Sequence, residues 1–321
     1  MKRNTFEKAN TPAWDELDRI VGELEKKRDR PDAVRVPSLL RQACGDLALS
    51  QHRMYGRRLS DRLNRTVISA YGLMRKASAR SGERLLKFIA VTFPRTLREE
   101  WRLFWLNMAL FWVPMFAFIA AAHYEPRWIF SIVTPTMQSQ MDSMYSAAAP
   151  IEAMRERFRS DFMMWAFYIQ NNVGIGFRIF AGGALLTLGA IFFVGYNGIL
   201  IGAITGYIHY AGHTENFYRF VIGHSSLELI GLIICGVAGM RLGLAILKPG
   251  RLTRREALRT AGRRSLPLLC GGSLMIFLAA FVEGFWSASH AAAWAKYTVG
   301  ITLWVLLTLY FLFAGRNADA A

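Results

Sequence analysis

The sequence predicts an all-α protein, in which a polytopic transmembrane bundle of about six helices follows an N-terminal cytosolic helical domain. The first observation is a run of 36 residues, 179–214, that contains no Asp, Glu, Lys or Arg. Because one helix crosses the hydrocarbon core with about 20 apolar residues, this run has the length of two spans joined by a tight turn. The second observation is that residues 1–102 hold 23 Lys and Arg against 13 Asp and Glu, which is +10 of the net +16. The third is that apolar runs dominate the sequence after Trp101.

The charge distribution predicts two parts, a basic cytosolic helical domain at 1–100 and a transmembrane domain at 101–321. In the first part, apolar residues recur at helical spacing in charged segments, as in Leu17, Ile20 and Leu24. Such stripes predict three or four amphipathic helices, which could pack as a small bundle, lie on the membrane or bind a partner helix.

The basic excess does not point to nucleic acid. No zinc knuckle, RNA-binding aromatic signature or basic repeat accompanies it, so we expect no nucleic-acid partner. Lys and Arg are instead enriched on the cytoplasmic side of membrane proteins, where they face the lipid bilayer. The three cysteines have no near neighbour in sequence and indicate neither a metal-binding pair nor a disulfide framework.

Hydropathy and length predict six membrane spans. They are Leu103–His123, Val173–Phe193, Gly195–Gly212, Val221–Leu247, Ser265–Glu283 and Trp294–Phe313. The turn between the second and third spans is expected at Gly195–Gly198, because Asn-Gly is a common turn dipeptide, although a glycine kink in a broken helix would give the same pattern. The predicted loop 248–264 carries seven Lys and Arg, which places it and the basic domain in the cytoplasm and segment 124–172 outside. Six spans then return the C-terminus to the cytoplasm.

The outer segment, around 124–172, carries apolar residues at roughly helical spacing among charges. These residues are Met154, Phe158, Phe162, Trp165 and Ile169. The pattern predicts an amphipathic helix that lies at the outer interface or packs over the bundle. An envelope protein partner is expected to dock on this segment.

Small residues recur at helical spacing in two of the predicted spans. They are Gly198, Gly202 and Gly206 in the third span, and Gly239 and Gly243 in the fourth. Glycines at a spacing of four let two helices approach closely in a membrane. This predicts tight helix packing, either inside one chain or across a homodimer interface.

Ionisable residues gather towards one end of the predicted spans. His224 and Glu228 share a face of the fourth span, Glu283 ends the fifth, and His209 and His213 end the third. Each such group is costly in a bilayer and needs a partner or water. Three interpretations stay open: hydrogen bonding that holds the bundle in register, a metal site, and a protonation relay or transport path. The metal interpretation would use His209, His213, His224 or Glu228, but no third ligand has a diagnostic spacing, so we predict no bound metal and no cofactor.

Two further residues complete the predicted polar cluster, Arg178 and Asn197. Arg178 is expected to extend to the interface or to pair with Glu228 or Glu283. The sequence contains no His-Glu-x-x-His motif, no Gly-x-Ser-x-Gly motif and no Walker motif. We therefore predict no catalytic residue and no enzymatic activity.

Three short motifs carry a resemblance to a known family. They are Asn197–Gly198, Gly223–Leu229 and Ala279–Phe285. They are similar to the Asn-Gly, Gly-His-x-x-x-Glu and Ala-Ala-x-x-Glu-x-Phe signatures of the stage II sporulation protein M family of bacterial integral membrane proteins. In the basic domain, three more segments are similar to the longer members from bacteria that do not sporulate, namely Asp46–Ala48, Leu63–Asn64 and Ala70–Tyr71.

The resemblance implies a scaffold rather than an enzyme. It implies a multi-pass protein of the bacterial inner membrane that organises a cell-envelope complex with cytosolic or envelope partners, such as a MoxR-type ATPase. One alternative is a transporter or channel-like protein whose path runs past Glu228 and Glu283. A third reading is a metal-dependent intramembrane enzyme.

Overall fold

The computed structural model describes residues 3–25, 34–147, 158 and 160–316, and these residues form helices and connecting segments without a β-strand. The all-α prediction is confirmed. The chain divides into two compact units, Met1–Lys87 and Phe88–Ala321, each with its own buried apolar residues.

In the first unit the described residues form three α-helices, α1 (Arg3–Glu25), α2 (Val36–His52) and α3 (Arg57–Lys87). The stripe that the sequence predicts on α1 is buried, with Leu17 and Ile20 fully covered by the other two helices. Burial of each such side chain stabilises the unit by about 1.5–3 kcal/mol. The amphipathic helices of this unit therefore pack on one another as a small bundle.

The described residues of the second unit form ten α-helices. They are α4 (Phe93–Glu99), α5 (Trp101–Tyr124), α6 (Pro135–Tyr145), α7 (Asp161–Tyr168), α8 (Gly174–Gly183), α9 (Leu188–Ala211), α10 (Thr214–Val221), α11 (Ser225–Leu247), α12 (Arg254–Val282) and α13 (Ala293–Phe313). Three short π-helical segments join neighbouring elements, at Phe88–Thr92, Ile169–Val173 and Glu283–Ser287.

Five of the described helices are long and apolar enough to cross a membrane. They are α5, α9, α11, α12 together with its π-helical extension, and α13. The most deeply buried of the five is α11, in which 72% of the most apolar 18-residue stretch is buried inside the protein. This helix forms the centre of the unit, with α5, α8, α12 and α13 packed against it.

The predicted second span, Val173–Phe193, is wrong. The helix that leads into this region ends at Gly183, and the chain turns through residues 184–187 before α9 begins. Leu186 and Thr187 take the positive φ angles of 52° and 70° that the turn requires. The turn packs against α11 at Gly243, where the absence of a side chain leaves room for the backbone of Gly183 and Thr187.

The turn expected at Gly195–Gly198 is therefore wrong as well. These residues lie inside α9, and the Asn197 side-chain amide donates to the carbonyl of Phe193 one turn earlier at 2.7 Å. Gly198 faces the backbone carbonyl of Phe111 on α5. The Asn-Gly pair thus serves helix packing in the middle of a helix.

The predicted loop 248–264 is mostly helical. Thr253 caps the start of α12 through a reciprocal pair of hydrogen bonds with Glu256, and the helix then runs unbroken to Val282. Towards the C-terminal end of α11, Arg241 forms an ion pair with the buried Glu100 carboxylate at 3.1 Å.

The spaced glycines lie at helix contacts within the chain. Gly198 and Gly202 face the backbone of α5, and Gly206 faces the side chain of Ala122 on the same helix. Gly239 faces the backbone of Phe180, and Gly243 faces the turn described above. Backbones approach closely here because no Cβ keeps them apart. A homodimer through these residues stays a prediction.

Candidate functional site

The first two site residues are positioned by a break in the chain before α11. The predicted fourth span, Val221–Leu247, is interrupted here, because α10 ends at Val221 and α11 begins only at Ser225. His224 occupies the N-cap position of α11 and is 4% exposed, with its ring edge-on to Phe220 at 5.4 Å. Glu228 lies in the first turn of α11, where the exposed backbone amides of a helix start favour a carboxylate.

The third site residue, Glu283, opens the π-helical segment that follows α12. Gly284 next to it lies against the backbone of Trp165 on α7, an approach that a side chain would prevent. Asn172 faces Glu283 from a second π-helical segment, Ile169–Val173. Single π-helical turns inside α-helices are frequent at functional sites.

The three side chains converge on one point. His224 Nε2 lies 3.7 Å from Glu228 Oε2 and 3.9 Å from Glu283 Oε1. One ligand atom from each residue lies within 4.8 Å of the other two. Both distances from the imidazole nitrogen exceed hydrogen-bonding range, so the nitrogen faces two carboxylates without bonding to either.

Neighbouring polar groups hold the site from behind. The Ser287 hydroxyl lies 3.0 Å from His224 Nδ1, and the Asn172 amide donates to Glu283 Oε2 at 3.1 Å. The buried Lys296 ammonium donates to the carbonyl of Ser287 at 2.7 Å. His224 uses Nδ1 and Glu283 uses Oε2 in these contacts, so His224 Nε2 and Glu283 Oε1 remain directed at the place where the three side chains meet.

A cavity of about 560 Å³ lies on the open side of the three residues. Apolar and aromatic side chains from α5, α9, α10 and α13 line most of it, and Asn197 contributes an amide. Tyr145 of α6 also lines it. Burial raises the pKa of the Tyr145 hydroxyl above its usual range, and the Glu283 and Glu228 carboxylates raise it further, so it remains a neutral phenol beside them.

The family described as stage II sporulation protein M matches residues 107–288, which include all three converging residues. The chain belongs to the stage II sporulation protein M family. A second family, described as a domain of unknown function (DUF8413), matches residues 4–76 in the first unit. No curated protein and no solved structure matches the chain.

The three converging residues lie within the part of the chain that matches the family. His224, Glu228 and Glu283 belong to the signatures that carry the sequence resemblance, and the structure brings them together although they come from two helices. Lys296 lies beyond the matched residues. Chemically, an imidazole nitrogen and two carboxylates can hold a proton or a metal cation.

Other residues of the predicted cluster lie elsewhere. Arg178 is exposed and donates to the carbonyl of Gly174, so the pairing with Glu228 or Glu283 is wrong for this structure. His209 contacts the hydroxyl of Tyr218 at 2.8 Å.

His213 belongs to a second polar group. Its Nε2 lies 2.9 Å from Asp142 Oδ1, which also accepts a hydrogen bond from the Tyr207 hydroxyl at 2.8 Å. None of these three residues lines the cavity beside His224. Met154 of the predicted amphipathic helix lies outside the described residues.

The supporting residues Ser287, Lys296 and Tyr145 were missed from the sequence. Lys296 carried a usable signal, because a lysine just inside a long apolar segment needs a partner. Ser287 and Tyr145 carried none, since a serine and a tyrosine near a membrane interface are common.

Proposed function

We propose that the protein is a non-enzymatic scaffold of the bacterial inner membrane that organises a cell-envelope complex. Its first unit would bind cytosolic proteins, such as a MoxR-type ATPase, and its outer segment would face envelope partners. The observation that carries this proposal is that residues 3–87 form a separately packed helical unit, which gives a membrane protein a dedicated surface for partners.

Support comes from the surface of this unit. Ile68 and Tyr71 lie on α3 with exposed fractions of 61% and 66%. Leu63 and Ala70 of the same helix are instead buried in the apolar clusters of this unit. Apolar and aromatic side chains that stand together on a charged helix are typical of protein-binding surfaces. The strong positive charge of the same unit favours an acidic partner.

The test compares the partners of matched variants. Three proteins would be cross-linked in native membranes and purified: wild type, the double variant Ile68→Arg/Tyr71→Arg and the control Ser69→Arg. The captured proteins would be quantified by mass spectrometry. Ser69 is exposed on the same helix, so it controls for added charge. The scaffold proposal expects an ATPase of the MoxR type to be lost from the double variant alone. An unchanged set of partners in the double variant would contradict the docking role of this face.

A second candidate is a transporter or channel-like protein. It is favoured by the cavity of about 560 Å³ that ends on two carboxylates, the partly buried Glu228 and the buried Glu283. Proton flux into vesicles that contain the purified protein would be measured for wild type, Glu228→Gln and Glu283→Gln. The exposed Glu215 provides the control Glu215→Gln. Loss of flux in the first two variants alone would favour transport over the scaffold.

A further inference from the structure

The converging residues have the composition of a transition-metal site. Imidazole nitrogen and carboxylate oxygen bind Zn²⁺ at about 2.0–2.2 Å, which places the ligand atoms of a tetrahedral ion about 3.4 Å apart. The observed separations of 3.7 and 3.9 Å between His224 Nε2 and the two carboxylates are close to this value. Small side-chain movements would close the difference. We propose that His224, Glu228 and Glu283 bind a divalent transition-metal ion such as Zn²⁺, with one coordination position open to the cavity.

The orientation of the imidazole supports this assignment. A metal-binding histidine usually donates its other ring N–H to a hydrogen-bond acceptor, which fixes the tautomer and the ring. Ser287 Oγ is 3.0 Å from Nδ1 and can play this part, which leaves the lone pair of Nε2 directed at the carboxylates. Lys296 in turn holds the carbonyl of Ser287.

Glu283 is supported in the same way. Its Oε2 accepts the hydrogen bond from Asn172, so Oε1 is the oxygen that faces His224. Outer contacts of this kind orient the ligands of metal sites. Two of the three ligands are therefore already held in the arrangement that a metal ion needs.

Charge gives a second argument. Glu228 and Glu283 are the charged side chains among the described residues that line the cavity, and no Lys or Arg lines it with them. Lys296 is not among the cavity-lining residues and donates to the backbone carbonyl of Ser287. Two carboxylates brought together in a buried site repel one another unless a proton or a metal ion lies between them. A divalent ion would balance both charges.

The ligand set also selects the kind of ion. Ca²⁺ and Mg²⁺ prefer oxygen ligands alone, whereas an imidazole nitrogen with two carboxylates suits Zn²⁺ and related ions. Three protein ligands are the number in zinc sites that keep a fourth position for water or another small ligand. That position would face the cavity, because Glu228 lines it and is the least buried of the three.

The proposed metal site goes beyond the scaffold role, and metal binding can be tested independently of partner binding. Full-length protein in detergent would be stripped with a chelator, loaded with Zn²⁺, desalted and analysed for metal by mass spectrometry. Affinity would be measured by competition with a coloured chelator. We expect one zinc ion per chain in wild type and a loss of affinity of at least about 100-fold in His224→Ala and Glu283→Gln, because removal of even an outer contact costs 10–100-fold. The controls His213→Ala and Glu215→Gln should bind as wild type does.

Two measurements keep the test decisive if a ligand variant fails to fold. Ser287→Ala retains all three ligands and should weaken zinc binding by about 10–100-fold. Wild-type protein loaded with Co²⁺ should show the intense visible absorption of a four-coordinate ion with nitrogen and oxygen ligands. Three results would each overturn the proposal: wild type that retains no zinc, unchanged zinc affinity in the ligand variants, or a Co²⁺ spectrum like that of the ion in water. Protons would then balance the charges of the two carboxylates.

Discussion

Gly183 and Gly239 touch through their backbones, at the point where the turn between α8 and α9 packs on α11. A Cβ atom on Gly183 would overlap the carbonyl group of Gly239. Gly243, one helical turn further along α11, receives the backbone of Thr187 in the same way. Gly239 and Gly243 form a groove on α11 that accepts the turn between α8 and α9. This packing therefore places the turn at residues 184–187, within the segment 179–214 that has no charged residue.

Substitution in this groove should disrupt the bundle. We expect Gly183→Ala to lower the stability of the protein by about 1–3 kcal/mol or more, because the added methyl group has no space without a shift of the backbone. Thermal unfolding in detergent would measure the change.

The matched control is Gly195→Ala in α9. The nearest atom to a Cβ there is the carbonyl oxygen of Leu110 at 3.8 Å, which is ordinary contact. We expect this variant to be neutral or stabilising by up to about 1 kcal/mol, since Ala has the higher helix propensity. Equal losses in both variants would contradict the packing argument.

Asn172 should be needed for the stability of the site. Its side-chain amide donates to Glu283 inside the protein, so Asn172→Ala leaves a buried carboxylate oxygen without this donor. We expect a loss of about 1–3 kcal/mol in the free energy of unfolding. The exposed neighbour Gln170→Ala provides the control. An unchanged unfolding temperature in Asn172→Ala would show that this hydrogen bond does not support Glu283.

Asp142 should anchor α6 to α9. One of its carboxylate oxygens accepts from the Tyr207 hydroxyl and lies next to His213. Asp142→Ala removes both contacts at once, and we expect faster proteolytic cleavage within residues 135–147 while the rest of the second unit stays intact. The control is Gln140→Ala, an exposed position on the same helix. Identical cleavage rates for the two variants would argue against the anchor.

Trp14 should be central to the first unit. Its ring is buried among Phe6 and other apolar side chains, and its indole N–H donates to Asp46 at 2.9 Å. We expect Trp14→Ala to cost about 3–5 kcal/mol, which is enough to unfold a small bundle. Limited proteolysis of the full-length variant should then remove residues 1–87 and leave the second unit. Met54→Ala, at a position 88% exposed, should behave as wild type.

Sequence patterns located the elements whose signal is local. The first and last predicted spans, Leu103–His123 and Trp294–Phe313, agree with α5 and α13 to within two residues at each end. The stripe on α1 is buried in the structure as its spacing indicated. Hydropathy succeeds for these helices because a long apolar segment in or next to a membrane has one favourable conformation.

The same reasoning failed at the turn after Gly183. The dipeptide Asn197–Gly198 has a strong turn propensity, whereas residues 184–187 contain no Gly, Pro, Asn or Asp. Turn propensity is a local preference, which packing between helices can override. Here it is outweighed by the packing of α8 and α9 on the glycines of α11, which involves residues about 50 positions away in sequence.

The sequence by itself determined that this is an α-helical membrane protein with a basic N-terminal part, and it singled out His224, Glu228 and Glu283 as costly residues in apolar surroundings. Only the tertiary structure decided that the three side chains meet, that Arg178 stays apart from them, and that Asn172, Ser287 and Lys296 support them. The physical reason is that hydropathy and helical spacing describe one segment at a time. The convergence of side chains from different helices depends on where breaks, π-helical turns and glycine contacts rotate each helix against the others.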